Sequence, residues 1–161
     1  MVLKPKDENN RPKKNKKAIK EPIKRKKSKD FPSVTTVPSS IFQNRSYSVL
    51  ETLAVYLKDE KGLRYAEIGR ILARNERTLW TCYHRAKQKT WQKEEHHPES
   101  ISIPLSIFRN RKVSFSESLI HYLRSQLGMR YHEIAVILNR DDRTIWTLSH
   151  RFEAKQEVHH E

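Results

Sequence analysis

Arg77, Trp80, Thr81, His84 and Arg85 are side-chain types that can meet a nucleic acid, and they recur in the same order as Arg143, Trp146, Thr147, His150 and Arg151. A helix in a major groove needs groups that donate to or accept from base edges, with cations beside them for phosphates. A helix with only a structural role carries Glu–Lys pairs on its outer face. Residues suited to catalysis are not grouped in this way. No nucleophile–base pair, carboxylate dyad or metal cluster is apparent, and three glycines (Gly62, Gly69, Gly128) cannot build a phosphate cradle. His96-His97 and His159-His160 lack the cysteine partners and spacing of a structural zinc site. Cys82, mid-helix on an apolar stripe, reads as a packing residue with no activating neighbour. An enzyme is not expected, and neither is a cofactor, a metal or a small-molecule substrate.

Lys and Arg number 33 against 19 Asp and Glu, a net charge of +14 over 161 residues. Such an excess points to a polyanion, and nucleic acid is the commonest. No run approaches the roughly 18 apolar residues that span a bilayer, and the first residues lack the apolar core of a secretory signal, so no membrane partner is expected. The single cysteine fits a reducing compartment, either the cytoplasm around the nucleoid or, in a eukaryote, the nucleus.

The elements that must position those side chains come from a duplication. A shift of 66 residues aligns 37–89 with 103–155 without a gap, and 26 of the 53 pairs are identical. Residues 1–36 hold 13 basic and 4 acidic residues and little apolar content, which predicts a disordered basic tail adding affinity through counterion release. Residues 90–102 are polar and broken by Pro98, which predicts a linker separating two domains.

Each copy predicts three helices. Ser48 with Glu51, and Ser114 with Glu117, have the form of a capping box. Helix one then buries Val49, Leu53, Tyr56 and Leu57 (Phe115, Leu119, Tyr122 and Leu123) and stops at Gly62 or Gly128. Helix two runs over 65–73 and 131–139, burying Ile68, Ile71 and Leu72 or Ile134, Ile137 and Leu138. After a tight turn, Asn75 or Asp141 caps helix three, which extends to about Lys89 or Lys155. The fold class is therefore all-α: two tandem three-helix domains of helix-turn-helix type behind a basic tail.

Residues 64–72 (Arg-Tyr-Ala-Glu-Ile-Gly-Arg-Ile-Leu) and 75–87 (Asn-Glu-Arg-Thr-Leu-Trp-Thr-Cys-Tyr-His-Arg-Ala-Lys) resemble the helix-turn-helix of sigma factor region 4. Arg130-Tyr131-His132-Glu133-Ile134-Ala135 and Asp141-Asp142-Arg143-Thr144-Ile145-Trp146 repeat the pattern, which is also similar to small archaeal sigma-like regulators. The resemblance implies that Glu76, Arg77, Trp80, Thr81 and His84 face bases, as do Asp142, Arg143, Trp146, Thr147 and His150. It places Arg64, Thr78, Arg85, Lys87 and Lys89 at phosphates, with Arg130, Thr144 and Arg151 as counterparts. Glu67 and Glu133 are read as structural. The chain departs from the family at Arg74 and Arg140, where an aliphatic residue is usual, at Trp80 and Trp146, and in having no counterpart of region 2. Each tryptophan either lies exposed in the groove or packs under Ile41-Phe42 or Ile107-Phe108; packing is the preferred role.

The expected partner is double-stranded DNA, with two readers in adjacent major grooves about 34 Å apart, within reach of an extended 13-residue linker of about 45 Å. Because Glu76 stands opposite Asp142, and Tyr83 opposite Ser149, an asymmetric or degenerate site is expected. RNA polymerase is a second candidate partner, through an adaptor role for one copy. A structural RNA or ribosome-associated protein is the remaining alternative, although the deep, narrow groove of duplex RNA excludes a recognition helix.

Overall fold

The computed structural model describes residues 34–89 and 100–157, which are mostly helical, with one two-stranded sheet and short connecting turns. Residues 1–33 of the basic tail, residues 90–99 of the linker and the paired histidines His96-His97 and His159-His160 lie outside the described residues. Strand β1 (Thr36–Pro38) leads through a 3-10 turn (Ser39–Phe42) to α1 (Val49–Val55), α2 (Tyr65–Leu72) and α3 (Glu76–Gln88). The second copy repeats this order with β2 (Ser102–Pro104), a 3-10 turn (Leu105–Arg109), α4 (Phe115–His121), α5 (Tyr131–Leu138) and α6 (Asp142–Glu157). No helix among the described residues is long and apolar enough to cross a membrane.

Local chemistry sets the helix ends. Glu51 N donates to Ser48 Oγ at 3.2 Å while Ser48 N donates to Glu51 Oε2 at 2.9 Å. Ser114 and Glu117 exchange the same pair of bonds at 3.2 and 2.8 Å. Both first helices widen into a π turn, Tyr56–Glu60 and Tyr122–Gln126, and stop at Gly62 and Gly128, each at φ +66°. Glycine takes that left-handed conformation without a Cβ clash. Glu67 and Glu133 accept from the backbone N–H of Arg64 and Arg130 at 2.7 and 2.6 Å, which is a structural role.

The second helices end one residue earlier than their apolar pattern suggests, because Ala73 and Asn139 are left-handed (φ 51° and 50°). Arg74 N then donates to Gly69 O at 2.9 Å, and Arg140 N to Ala135 O at 2.8 Å, which closes each turn. Asn75 Oδ1 caps α3 by accepting from Arg77 N at 2.8 Å. In the second copy the Asp141 carbonyl accepts from Thr144 N and Ile145 N at 2.9 and 3.1 Å, and its carboxylate pairs with Arg45 Nη2 at 2.8 Å.

The linker composition predicts two separated domains, yet the apolar stripes of both copies meet in one core. β1 and β2 pair antiparallel, with Val37 opposite Ile103 and both buried. The 3-10 turn of each copy packs on the second helix of the other: Ser39–Phe42 against α5, and Leu105–Arg109 against α2. Phe42 meets Phe108 at 6.3 Å, and Phe108 stacks on Phe115 at 5.4 Å. Burying side chains of this size stabilises by about 1.5–3 kcal/mol each. The Ile41-Phe42 and Ile107-Phe108 segments therefore pack on the opposite copy as well as on the first helix of their own. The packing role expected for Trp80 and Trp146 is overturned, since they remain 51% and 50% exposed.

Candidate nucleic-acid interface

The outward surfaces of α3 and α6 follow from what their inward surfaces bury. Leu79 and Ala86 seat α3 against α1 and α2, and Ile145, Ser149 and Phe152 seat α6 against α4 and α5. At 3.6 residues per turn, Trp146, His150, Arg143, Thr147 and Arg151 then fall within an arc of about 140° on the opposite side. Trp80, His84, Arg77, Thr81 and Arg85 hold the matching arc of α3. Of these ten residues Thr81 and Thr147 are half-buried and the rest are exposed. Arg143, Thr147 and Arg151, with Thr144 and Leu148, line a depression of about 290 Å³.

Each tryptophan stacks on the histidine one turn later: Trp80 on His84 and Trp146 on His150, both with ring centroids 3.9 Å apart. His84 Nδ1 lies 2.8 Å from Trp80 O, and His150 Nδ1 lies 3.0 Å from Trp146 O. A carbonyl oxygen can only accept, so Nδ1 carries the proton and Nε2 of the neutral ring is left as an acceptor. Thr81 and Thr147 donate their hydroxyl protons to Arg77 O and Arg143 O at 2.9 and 2.8 Å, which likewise leaves them acceptors.

The charged side chains divide into two groups. Arg64, Arg77, Arg85, Arg130, Arg143 and Arg151 are exposed, and none has a carboxylate partner among the described residues. Thr78 and Thr144 are exposed beside them. Lys87 and Lys89, expected at phosphates, instead pair with Asp59 at 2.6 Å and Glu51 at 2.8 Å; Lys155 pairs with Glu117 at 2.7 Å. Both Glu51 and Glu117 are buried carboxylates in α1 and α4. Burial pushes them up, but the lysine ammonium and the capping N–H outweigh it and hold them below the ordinary carboxylate value. Glu76 is exposed at the start of α3, whereas Asp142 contacts His132 Nδ1 at 3.2 Å.

Tyr83 and Ser149, expected to distinguish the two reading faces, point elsewhere. Tyr83 donates to Asp59 Oδ1 at 2.9 Å, and burial together with that bond pushes its phenol up to about 12. Ser149 is buried. The half-buried Cys82 thiol is pushed up by burial and by Glu51, away from the thiolate, in keeping with a packing role.

Arg74 and Arg140 have functions that local reasoning misses. The Arg74 guanidinium lies 4.8 Å from the Phe115 ring centroid and donates to Asn110 O at 3.3 Å. Arg140 donates to Asn44 O at 3.1 Å. Each turn arginine thus reaches into the opposite copy. The available signal is that the residue is arginine in both repeats, where an isolated unit has no use for a cation.

No protein-family model, curated protein or solved structure matches the chain.

Proposed function

We propose that this protein binds double-stranded DNA sequence-specifically, as a transcription regulator, using α3 and α6 as the recognition helices of two helix-turn-helix units. The observation that carries this reading is the duplicated outer face, in which uncompensated arginines flank a Trp–His stack and a threonine acceptor. Arginine supplies paired donors for guanine, the histidine Nε2 accepts from the exocyclic amines of cytosine or adenine, and the indole offers apolar contact to a thymine methyl. Arg64, Thr78, Arg85 and their counterparts Arg130, Thr144 and Arg151 are exposed and supply donors for the phosphates that flank such a helix. The likeness to sigma factor region 4 supports the same reading without implying promoter melting. An adaptor with one copy turned to RNA polymerase would need the two faces to diverge, and both carry the same five residues. The site of action would be the chromosome, in the cytoplasm of a prokaryote or the nucleus of a eukaryote.

Selection of bound duplexes from a random pool tests the proposal, followed by titration of Arg77→Ala and Arg143→Ala. Each substitution should weaken binding to the selected site by about 1–3 kcal/mol and relax preference at one base pair. Binding with no sequence preference would remove the basis of the proposal.

A further inference from the structure

We infer that the DNA partner is an imperfect inverted repeat, read by one chain whose two halves are related by an internal two-fold axis. This rests on the reading that α3 and α6 enter major grooves, and it comes from the way the copies join. In the strand register Thr36 pairs with Pro104 and Pro38 with Ser102, with Val37 opposite Ile103 at the centre. The repeat offset of 66 carries Thr36 onto Ser102 and Pro38 onto Pro104, so exchanging the copies returns the same register. The flanking bonds obey the same exchange: Ser39 N donates to Ile101 O and Leu105 N to Thr35 O, both at 2.8 Å. So do the turn arginines, with Arg74 on Asn110 O and Arg140 on Asn44 O, and the 3-10 turns on α5 and α2. A surface that contacts its own equivalent reciprocally is the isologous interface of a two-fold dimer, here formed within one chain.

The orientation of the readers follows. When both helices enter grooves on one side of a duplex, a two-fold relating them crosses the DNA at right angles, so α3 and α6 meet opposite strands and each reads the same pattern 5′ to 3′ on its own strand. A direct repeat requires readers related by translation, which this interface does not provide. Operator symmetry mirrors protein symmetry in the same way for separate two-fold subunits. A flexible linker alone would permit either arrangement; the shared core and the paired strands remove that freedom.

The half-sites should be closely alike. Arg77, Thr78, Trp80, Thr81, His84 and Arg85 are matched identically by Arg143, Thr144, Trp146, Thr147, His150 and Arg151. Tyr83 and Ser149 are withdrawn from the face. The differences left along the edge of the face are exposed Glu76 against Asp142, which contacts His132, and Lys87, paired with Asp59, against exposed Glu153. The asymmetry expected from sequence therefore narrows to what is met near the start and near the end of each reading helix.

The test uses the full chain and duplexes built from the half-site that selection returns, arranged as an inverted repeat, a direct repeat or a single copy, with spacing varied one base pair at a time. The inverted repeat at one spacing should bind about 100-fold more tightly than a single half-site, since the second contact is intramolecular. The direct repeat should bind no better than the single copy at any spacing. Equal or tighter binding to the direct repeat, or no gain from a second half-site, would overturn the inverted-repeat assignment while leaving sequence-specific binding intact. Failure of selection to return any half-site would instead overturn the DNA-reading proposal, and the inference with it.

Discussion

His84 and His150 owe their chemistry to the carbonyl one turn earlier. With Nδ1 donating to Trp80 O and Trp146 O, each neutral ring offers only an acceptor at Nε2. Replacing both by alanine should lower affinity for the selected duplex by about 0.5–1.5 kcal/mol per half-site and relax preference at a base pair that presents an amino group. Because both side chains are exposed, thermal stability should stay within about 0.5 kcal/mol of the parent. Anisotropy titration with a melting curve on the same protein checks both parts; lost stability would place the histidines in the fold and not at the interface. Residue types and spacing made this face legible in the sequence, since a helical period fixes which side chains share an arc. The state of each histidine was not legible, because it depends on a hydrogen bond within the folded helix. The exposure of the tryptophans was not legible, because Phe42 meets Phe108 of the other copy and leaves no gap for an indole to fill.

At the scale of elements, the first and third helices of each copy are tied by a buried carboxylate. Glu51 caps α1 and pairs with Lys89 just beyond the end of α3; Glu117 does the same between α4 and Lys155. Their carboxyl groups titrate lower in the folded chain than in the unfolded one, so the unfolded state binds protons first as pH falls. The stabilisation is fully present above the ordinary carboxylate value of about 4.3 and is lost as pH drops through and below it. A melting temperature that is flat near neutrality should therefore fall at acid pH. Glu51→Gln with Glu117→Gln should cost about 1–3 kcal/mol per site near neutrality and make the acid decline shallower. A decline as steep as the parent's would assign acid sensitivity to other groups. The caps and glycine stops could be read from sequence because their partners lie within three or four residues. The ion pairs could not, because Glu51 and Lys89 are 38 residues apart and meet only once the helices pack.

For the molecule as a whole, the crossing of the 3-10 turns makes each copy part of the other's core. Unfolding should be a single cooperative transition with equal calorimetric and van't Hoff enthalpies. Phe108→Ala, at the junction of Phe42 and Phe115, should destabilise that one transition by about 3–5 kcal/mol. Two resolved transitions, with only the second copy affected, would show that the copies fold independently. The duplication itself was plain in the sequence. That it closes on itself was not, because strand pairing between Val37 and Ile103 leaves no local pattern in either segment.

The reciprocal pairing of β1 with β2 also bears on dosage. A regulator assembled from two separate chains loses its paired form on dilution, and its occupancy of DNA then rises with the square of its concentration. On the proposed DNA-reading function the second half is supplied covalently here, so the reading unit would be complete at any dilution at which the chain stays folded. Occupancy of a single site should rise in simple proportion to protein at low concentration, giving a graded response where a dissociating pair would give a threshold.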